Sequence, residues 1–420
     1  MKLSRLASTC AAAVALFASA LFVGSPFSAS VSAQGQAVPE IAFDSANDYL
    51  QLPADLHLGE VAGVATTSTG NLWIYYRGGG PNATIGASRN YINGGARLIE
   101  VDKAGKFLRE IGAGENDRPY SFLFAQGVRV DAQNNFWIID RASRVVAKFA
   151  ANGRELMNLG RRPEAIGEVG SSAGGGGARG AGAPAGAPGA APGGGGREGG
   201  GRGEGRGAGA PAGAPGAPAA APGGGGGGGG RGGGGAPGLG TPGDNFNQPT
   251  DVAWDAAGNI FITDAYVNNR VAKFDKNGRY YKSWGGTGSG PGQFNTPHSI
   301  AVDAAGNVYV ADMGNKRIQV FDNNGTFKSE ITNVGAPRAL CITPGPNQFL
   351  YSSNSNPTED PFLGGEIYKL QLNGTVVGKI GKAGKQWKEF GMVNAIDCRE
   401  PNTLYVAELM NWRVQKLTLK

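Results

Sequence analysis

"PHSIAVDAAGNVYVADMGNKRIQVFD" runs from Pro297 to Asp322, and a near-copy, "PTDVAWDAAGNIFITDAYVNNRVAKFD", runs from Pro249 to Asp275. Within each, apolar and polar residues alternate at period two and Val, Ile, Phe and Tyr are abundant, which predicts short β-strands. "DAAGN", Asp303 to Asn307, supplies a tight turn in which Gly306 is free to take positive φ. "RIQVFD" reads as a third strand and "FKSEI" as a fourth. One four-stranded sheet cannot bury both its faces, but copies stacked around an axis can.

The same text recurs in weaker form at "AGVATTSTGNLWIYYR" (Ala62), "QGVRVDAQNNFWIIDR" (Gln126), "RALCITPGPNQFLYSS" (Arg338) and "NAIDCREPNTLYVAEL" (Asn394). Most steps between starts are about 40 to 64 residues, the length of a four-stranded propeller blade. The exception, Gln126 to Thr250, spans a Gly/Ala/Pro-rich tract too poor in apolar side chains to offset the entropy of ordering it. The reading is therefore an all-β, six-bladed β-propeller. Its divisions are a closing strand with blades 1 and 2 over residues 39–166, a disordered low-complexity insertion over residues 167–243, and blades 3 to 6 over residues 244–420. The last copy stops after its third strand, so "PEIAFDSANDYLQLP", Pro39 to Pro53, is expected to supply the outer strand of the sixth blade.

The chain opens with Lys2 and Arg5, an apolar stretch and "SASVSAQ", the plan of a secretory signal peptide over residues 1–33. The mature protein is then expected outside the cytoplasm, secreted or periplasmic, with no later segment apolar and long enough to span a bilayer. Of the net charge of +6, the signal carries two units and the Gly-rich tract three, leaving about +1 for the folded part. No clustered basic face accompanies it, and this argues against nucleic acid as partner although "GRGEGRG" resembles RNA-binding segments. Cys341 and Cys398 fit either a disulfide, as export permits, or two small core residues. "NGT" at Asn324 and Asn373 falls where hairpin turns are required and is read as turn.

"QPTDVA", "DAYVNNRVAKF", "GPGQFNTPHSIAV" and "ADMGNKRIQVF" resemble NHL repeats, and in order and spacing they are similar to the propeller of peptidyl-α-hydroxyglycine α-amidating lyase. That resemblance implies a zinc ion held by three histidines at one channel end, with an arginine and a tyrosine beside it, and cleavage of a peptidyl-α-hydroxyglycine to an amide and glyoxylate. Carried onto this chain, one histidine is His298, the tyrosine is Tyr266 and the arginine is Arg77. The other two histidines become Gln126 and Asn394, a second arginine becomes Met313, and the aspartate of a channel calcium becomes Ala395. Zinc prefers imidazole, thiolate or carboxylate, so His298 with two amides disfavours it as cofactor. His57, the other histidine, lies before the first blade and reads as a surface or packing residue.

Three functions remain open from sequence. One is a module that binds a small molecule, peptide or protein at the channel mouth through His298, Gln126, Asn394, Arg77 and Tyr266. Another is a lyase-like enzyme with an altered metal shell, His298 its remaining ligand, Tyr266 its base and Arg77 its oxyanion stabiliser. The third is a purely structural polar channel, since Ala62, Thr250 and Arg338 hold the equivalent positions of the other blades. The replaced ligands favour the first.

Overall fold

The computed structural model describes residues 38–78, 82–85, 89–92, 95–111, 122–160, 243–355 and 364–420. The expected signal peptide and all but the last residue of the expected insertion lie outside the described residues. Six four-stranded antiparallel sheets follow one another along the chain. Their innermost strands are Glu60–Thr66, Ala125–Val130, Pro249–Trp254, Pro297–Val302, Pro337–Ile342 and Val393–Asp397, one for each of blades 1 to 6. Each packs against the next and blade 6 packs against blade 1, which closes the ring. A separate hairpin, Asn82–Ile85 with Arg89–Ile92, is inserted between the second and third strands of blade 1.

The period-two pattern explains where the core sits. Alternate residues of a strand reach opposite faces of its sheet, so every blade buries apolar side chains against both neighbours. Six apolar clusters result, one at each blade interface. Ile139, Phe246, Ile262 and Phe274 fill the seam between blades 2 and 3, and Ile300, Val310, Phe261 and Phe321 the seam between 3 and 4. Gly63 marks a close approach of blades 1 and 2. A Cβ built there would stand 2.5 Å from the backbone nitrogen of Val128.

Blade 6 is completed by the other end of the chain. Phe43–Ala46 pairs with Arg413–Leu419, Phe43 opposite Leu419 and Ala46 opposite Lys416. The same segment reaches further on both sides. Ile41 donates to the Lys379 carbonyl of blade 5 at 2.8 Å, and Gln51 donates to the Gly105 carbonyl of blade 1 at 2.8 Å. It is a strap across three blades. Cys341 of blade 5 and Cys398, just past the inner strand of blade 6, form a disulfide, which decides between the two sequence readings of that pair. His57 is exposed.

Within a blade the chain runs down the innermost strand, back up the second, down the third and up the outermost. The connections between second and third strands, and those from one blade to the next, therefore share the end at which innermost strands begin. That end is called the mouth below. There, in blades 3, 4 and 6, an acid closing the second strand accepts backbone N–H groups from the chain entering the same blade. Asp264 takes Gln248 at 2.9 Å, Asp312 takes Asn295 at 2.7 Å and Glu408 takes Gly391 at 2.8 Å. Arg270, Arg317 and Arg413 lie against these acids at 3.2, 2.8 and 2.7 Å, which fixes the entry of every such strand. The opposite end consists of Asp-Gly-Asn turns such as Asp255 to Asn259 and Asp303 to Asn307, whose carboxylates accept N–H groups two or four residues on.

Candidate functional site

Every innermost strand breaks register with its neighbour just inside the mouth. The breaks fall between Val61 and Gly63, Ala125 and Gly127, and Pro249 and Asp251. In the later blades they fall between Pro297 and Ile300, Pro337 and Leu340, and Val393 and Ala395. A bulge frees a residue from the ladder and re-aims its side chain. Here it does so six times around one axis, at Ala62, Gln126, Thr250, His298, Arg338 and Asn394.

These side chains meet. His298 is buried, with Nδ1 3.0 Å from the Arg338 carbonyl oxygen and Nε2 3.2 Å from Gln126 Nε2. The carbonyl requires a donor, so the proton sits on Nδ1 and Nε2 accepts from the Gln126 amide. Burial, and then the nearby guanidinium groups of Arg338, Arg141 and Arg77, hold the imidazole well below its ordinary range, so it is neutral. Asn394 makes three hydrogen bonds. Its Oδ1 accepts from Arg338 Nε at 2.8 Å, and its Nδ2 donates to the carbonyls of Ala62 at 2.6 Å and Gln126 at 3.1 Å. Arg338 also reaches Met313 Sδ at 3.8 Å. Gln126 Oε1 is buried and accepts no hydrogen bond from the described residues.

Below this layer is a cavity of about 10 Å³, lined in part by Gln126, His298, Asn394, Arg129, Asp251 and Ser299. It has room for about one water molecule. Its floor is a buried ion pair. Arg129 donates from Nε and Nη2 to the two Asp251 oxygens at 2.9 and 2.6 Å, and from Nη2 to Ser299 Oγ at 3.3 Å and the Leu340 carbonyl at 3.2 Å. One guanidinium thus ties blades 2, 3, 4 and 5. Asp397 of blade 6 accepts from Thr66 Oγ1 of blade 1 at 2.8 Å and from Arg399 Nε at 3.0 Å, while Arg399 Nη1 reaches the Val130 carbonyl at 2.9 Å.

Arg77 and Tyr266 lie at the same end. Arg77 donates from Nε to the Ala125 carbonyl at 2.9 Å, pairs with Glu60 at 2.6 Å and lies 3.9 Å from the centre of the Phe124 ring. Arg141 stands over both the Phe124 and Tyr266 rings, at 5.5 and 4.2 Å, and so bridges the two residues. Tyr266 has a φ of 60° in a three-residue turn closed by the Val267 N–H on the Ala265 carbonyl at 2.7 Å. That is the rarer and more strained γ-turn, a kind of geometry that gathers at ligand clamps.

All five residues singled out from sequence therefore lie at the mouth, with His298, Gln126 and Asn394 in one hydrogen-bonded layer. The donor chemistry does not fit zinc. The Asn394 oxygen is committed to a cation, the Gln126 amide presents N–H to the one imidazole, and the Arg338 guanidinium stands beside it. Among the described residues no three His, Cys, Asp or Glu side chains converge to hold a metal ion. Calcium fares no better in the channel, where Asp251 and Asp397 already face arginines. Sequence reasoning missed Arg129, Arg141 and Arg399. Arg129 is a polar member of Ala125–Val130, while Arg141 and Arg399 follow strand ends, and only the ring brings their partners from other blades to them.

The chain matches a family model described as a 6-bladed beta-propeller over residues 239–361. Peptidylglycine alpha-amidating monooxygenase of Rattus norvegicus is 32% identical over 193 residues, which cover 43% of this chain and 19% of that protein. The match thus spans about a fifth of the length of that relative. NHL repeat-containing protein 3 of Homo sapiens is 38% identical over 121 residues, covering 25% of this chain and 35% of that protein. Among solved structures, virginiamycin B lyase from Staphylococcus aureus superimposes over 91% of this chain and 100% of its own, with 12% identity and a TM-score of 0.45. The chain is a six-bladed β-propeller similar in sequence to NHL-repeat proteins and to amidating monooxygenases.

Proposed function

We propose that this propeller is an exported binding module that takes a small molecule, peptide or protein at its mouth through His298, Gln126, Asn394, Arg77 and Tyr266. One observation carries the reading. The position that resembles a metal ligand, Asn394, spends both its donors on backbone carbonyls and turns its oxygen to the Arg338 guanidinium. A fixed guanidinium replaces the positive charge that a metal would bring, and an amide that holds a guanidinium is unavailable to a cation. The orphan Gln126 oxygen offers one unmet acceptor beside it. The Cys341–Cys398 disulfide supports export, since such bonds persist in oxidising compartments.

A specific feature favours a second reading. The Arg338 carbonyl pins the Nδ1 proton of His298 and so points the Nε2 lone pair toward the axis, the arrangement of a metal-ligating imidazole. A lyase-like activity would then use Tyr266 and Arg77 at the same rim. Elemental analysis of purified protein, paired with an assay for glyoxylate release from an α-hydroxyglycine peptide, separates the two. Absence of stoichiometric metal and of turnover supports the binding module. Stoichiometric zinc with turnover abolished by His298→Ala overturns it.

A further inference from the structure

The exposed apolar side chains are distributed unevenly. Leu108, Leu156, Tyr281 and Val377, at 38 to 66% exposure, lie on outermost strands of their blades, where every sheet presents an edge. The other large ones, Leu123, Val267, Trp387, Met410 and Trp412, all lie in connections at the mouth. At the opposite end, among the described residues, there is none. Trp412 is the most informative. It is 56% exposed with a φ of 51°, at a site where blades 2, 3 and 4 place Arg144, Asn269 and Lys316. A bulky aromatic in that conformation is an outlier, and burial in the fold does not compensate it. Trp387 and Met410 flank it on blade 6, while Leu123 and Val267 lie at blades 2 and 3, across the ring.

Between these two apolar edges the charge is positive. Arg141 has no carboxylate partner among the described residues and meets only the rings of Phe124 and Tyr266. Arg77 and Arg338 stand near enough to act on the same imidazole. Among the described residues of this end, Glu60, Glu330 and Glu389 are already paired with Arg77, Arg317 and Lys382. A half-buried guanidinium framed by aromatic rings is a common recognition site for carboxylate, and Trp, Met and Arg are enriched in protein interfaces.

Building on the binding reading above, we propose that the mouth docks an acidic polypeptide segment, a carboxylate side chain of which meets Arg141 while flanking apolar side chains cover Trp412 and Met410 on one rim and Val267 on the other. The aliphatic members of the rim favour a polypeptide over nucleic acid, whose bases stack on aromatic rings and whose backbone needs a continuous basic track.

Fluorescence anisotropy with a labelled octapeptide of alternating Glu and Leu, capped at both ends so that no terminal carboxylate remains, tests the proposal. A Lys/Leu counterpart and a labelled oligo-dT serve as alternative probes. The expected result is saturable binding of the Glu/Leu peptide, weakened by salt, and at least tenfold weaker in Arg141→Gln and in Trp412→Asn. Asn tolerates the left-handed conformation at 412, so Trp412→Asn is expected to keep the melting temperature of the parent, which separates lost contact from lost fold. Equal or tighter binding of Lys/Leu or oligo-dT, no binding of Glu/Leu, or parental affinity in both folded variants each overturns it. Peptide binding by a protein that also holds zinc and releases glyoxylate would overturn the proposed function and leave the docking surface standing.

Discussion

Asn394 and Arg338 are joined at 2.8 Å across the seam between blades 5 and 6, and the same amide donates to blades 1 and 2. One short side chain thereby connects four innermost strands. Truncation in Asn394→Ala removes a charged hydrogen bond and two donors to buried carbonyls, each worth about 1–3 kcal/mol when a buried partner is left unmet. The expected loss is about 2–4 kcal/mol by denaturant unfolding. Asn394→His should not create a zinc site, because Arg338 remains. Titration of that variant with zinc, followed by metal analysis, is expected to show no stoichiometric retention.

Arg129 and Asp251 form the deeper tie. Removal of one partner of a buried pair costs about 3–5 kcal/mol, because the other charge is stranded. Arg129→Met should therefore be strongly destabilising, and Arg129→Met with Asp251→Leu should recover much of the loss. A double-mutant cycle measures this directly. Additive losses would show that the pair is not coupled.

His298 sets a pH dependence with a definite sign. Burial first, and the three guanidinium groups after it, depress its pKa in the fold below the 6.5 of an unperturbed imidazole. Above about pH 6.5 both folded and unfolded chains hold it neutral, and it contributes no slope. Below that value the unfolded chain takes up a proton that the folded chain refuses, so stability falls until the depressed folded value is reached. The difference in melting temperature between pH 7.5 and pH 5 should shrink in His298→Gln relative to the parent. An unchanged difference would mean that the imidazole is not held neutral.

The sixfold repeat was legible because each blade needs the same strand-turn-strand text, and "DAAGN" marks the turn in blades 3 and 4. Phe43–Ala46 was legible from a shortage, a last copy with one strand too few. The meeting of His298 with Gln126 followed from equivalent places in the repeat. What could not be read is what the backbone adds. A bulge has no residue signature of its own, so nothing in "PHS" or "VNA" says that the ladder breaks there. Arg129 lies three residues past Gln126 and looks like the polar member of an alternating strand. Only closure of the ring places it opposite Asp251. The pairing of Cys341 with Cys398 was undecidable for the same reason, since their nearness is a property of adjacent blades and not of either segment.

The seam around blade 6 is closed twice, and the two closures should be coupled. Cys341 and Cys398 are 57 residues apart, a loop for which cross-linking the unfolded chain contributes about 4 kcal/mol in the chain-entropy account. The strap pairs with Lys379 of blade 5, with Arg413–Leu419 of blade 6 and with Gly105 of blade 1. With the disulfide intact, a chain that begins after residue 47 keeps blades 5 and 6 together and loses the outer strand, its backbone bonds and the packing of Ile41 and Phe43. With Cys341→Ser and Cys398→Ser but the strap present, that strand still spans the same seam. Loss of both leaves blade 6 held by side-chain packing and the inner-strand hydrogen bonds of Asn394 and Asp397, so the combined destabilisation should exceed the sum of the two. Unfolding of the parent, both single variants and the combination, each with and without reductant, gives the coupling energy. Reductant should move the parent onto the Ser variant and leave that variant unmoved. A sum that is simply additive would show that strap and disulfide guard separate unfolding events.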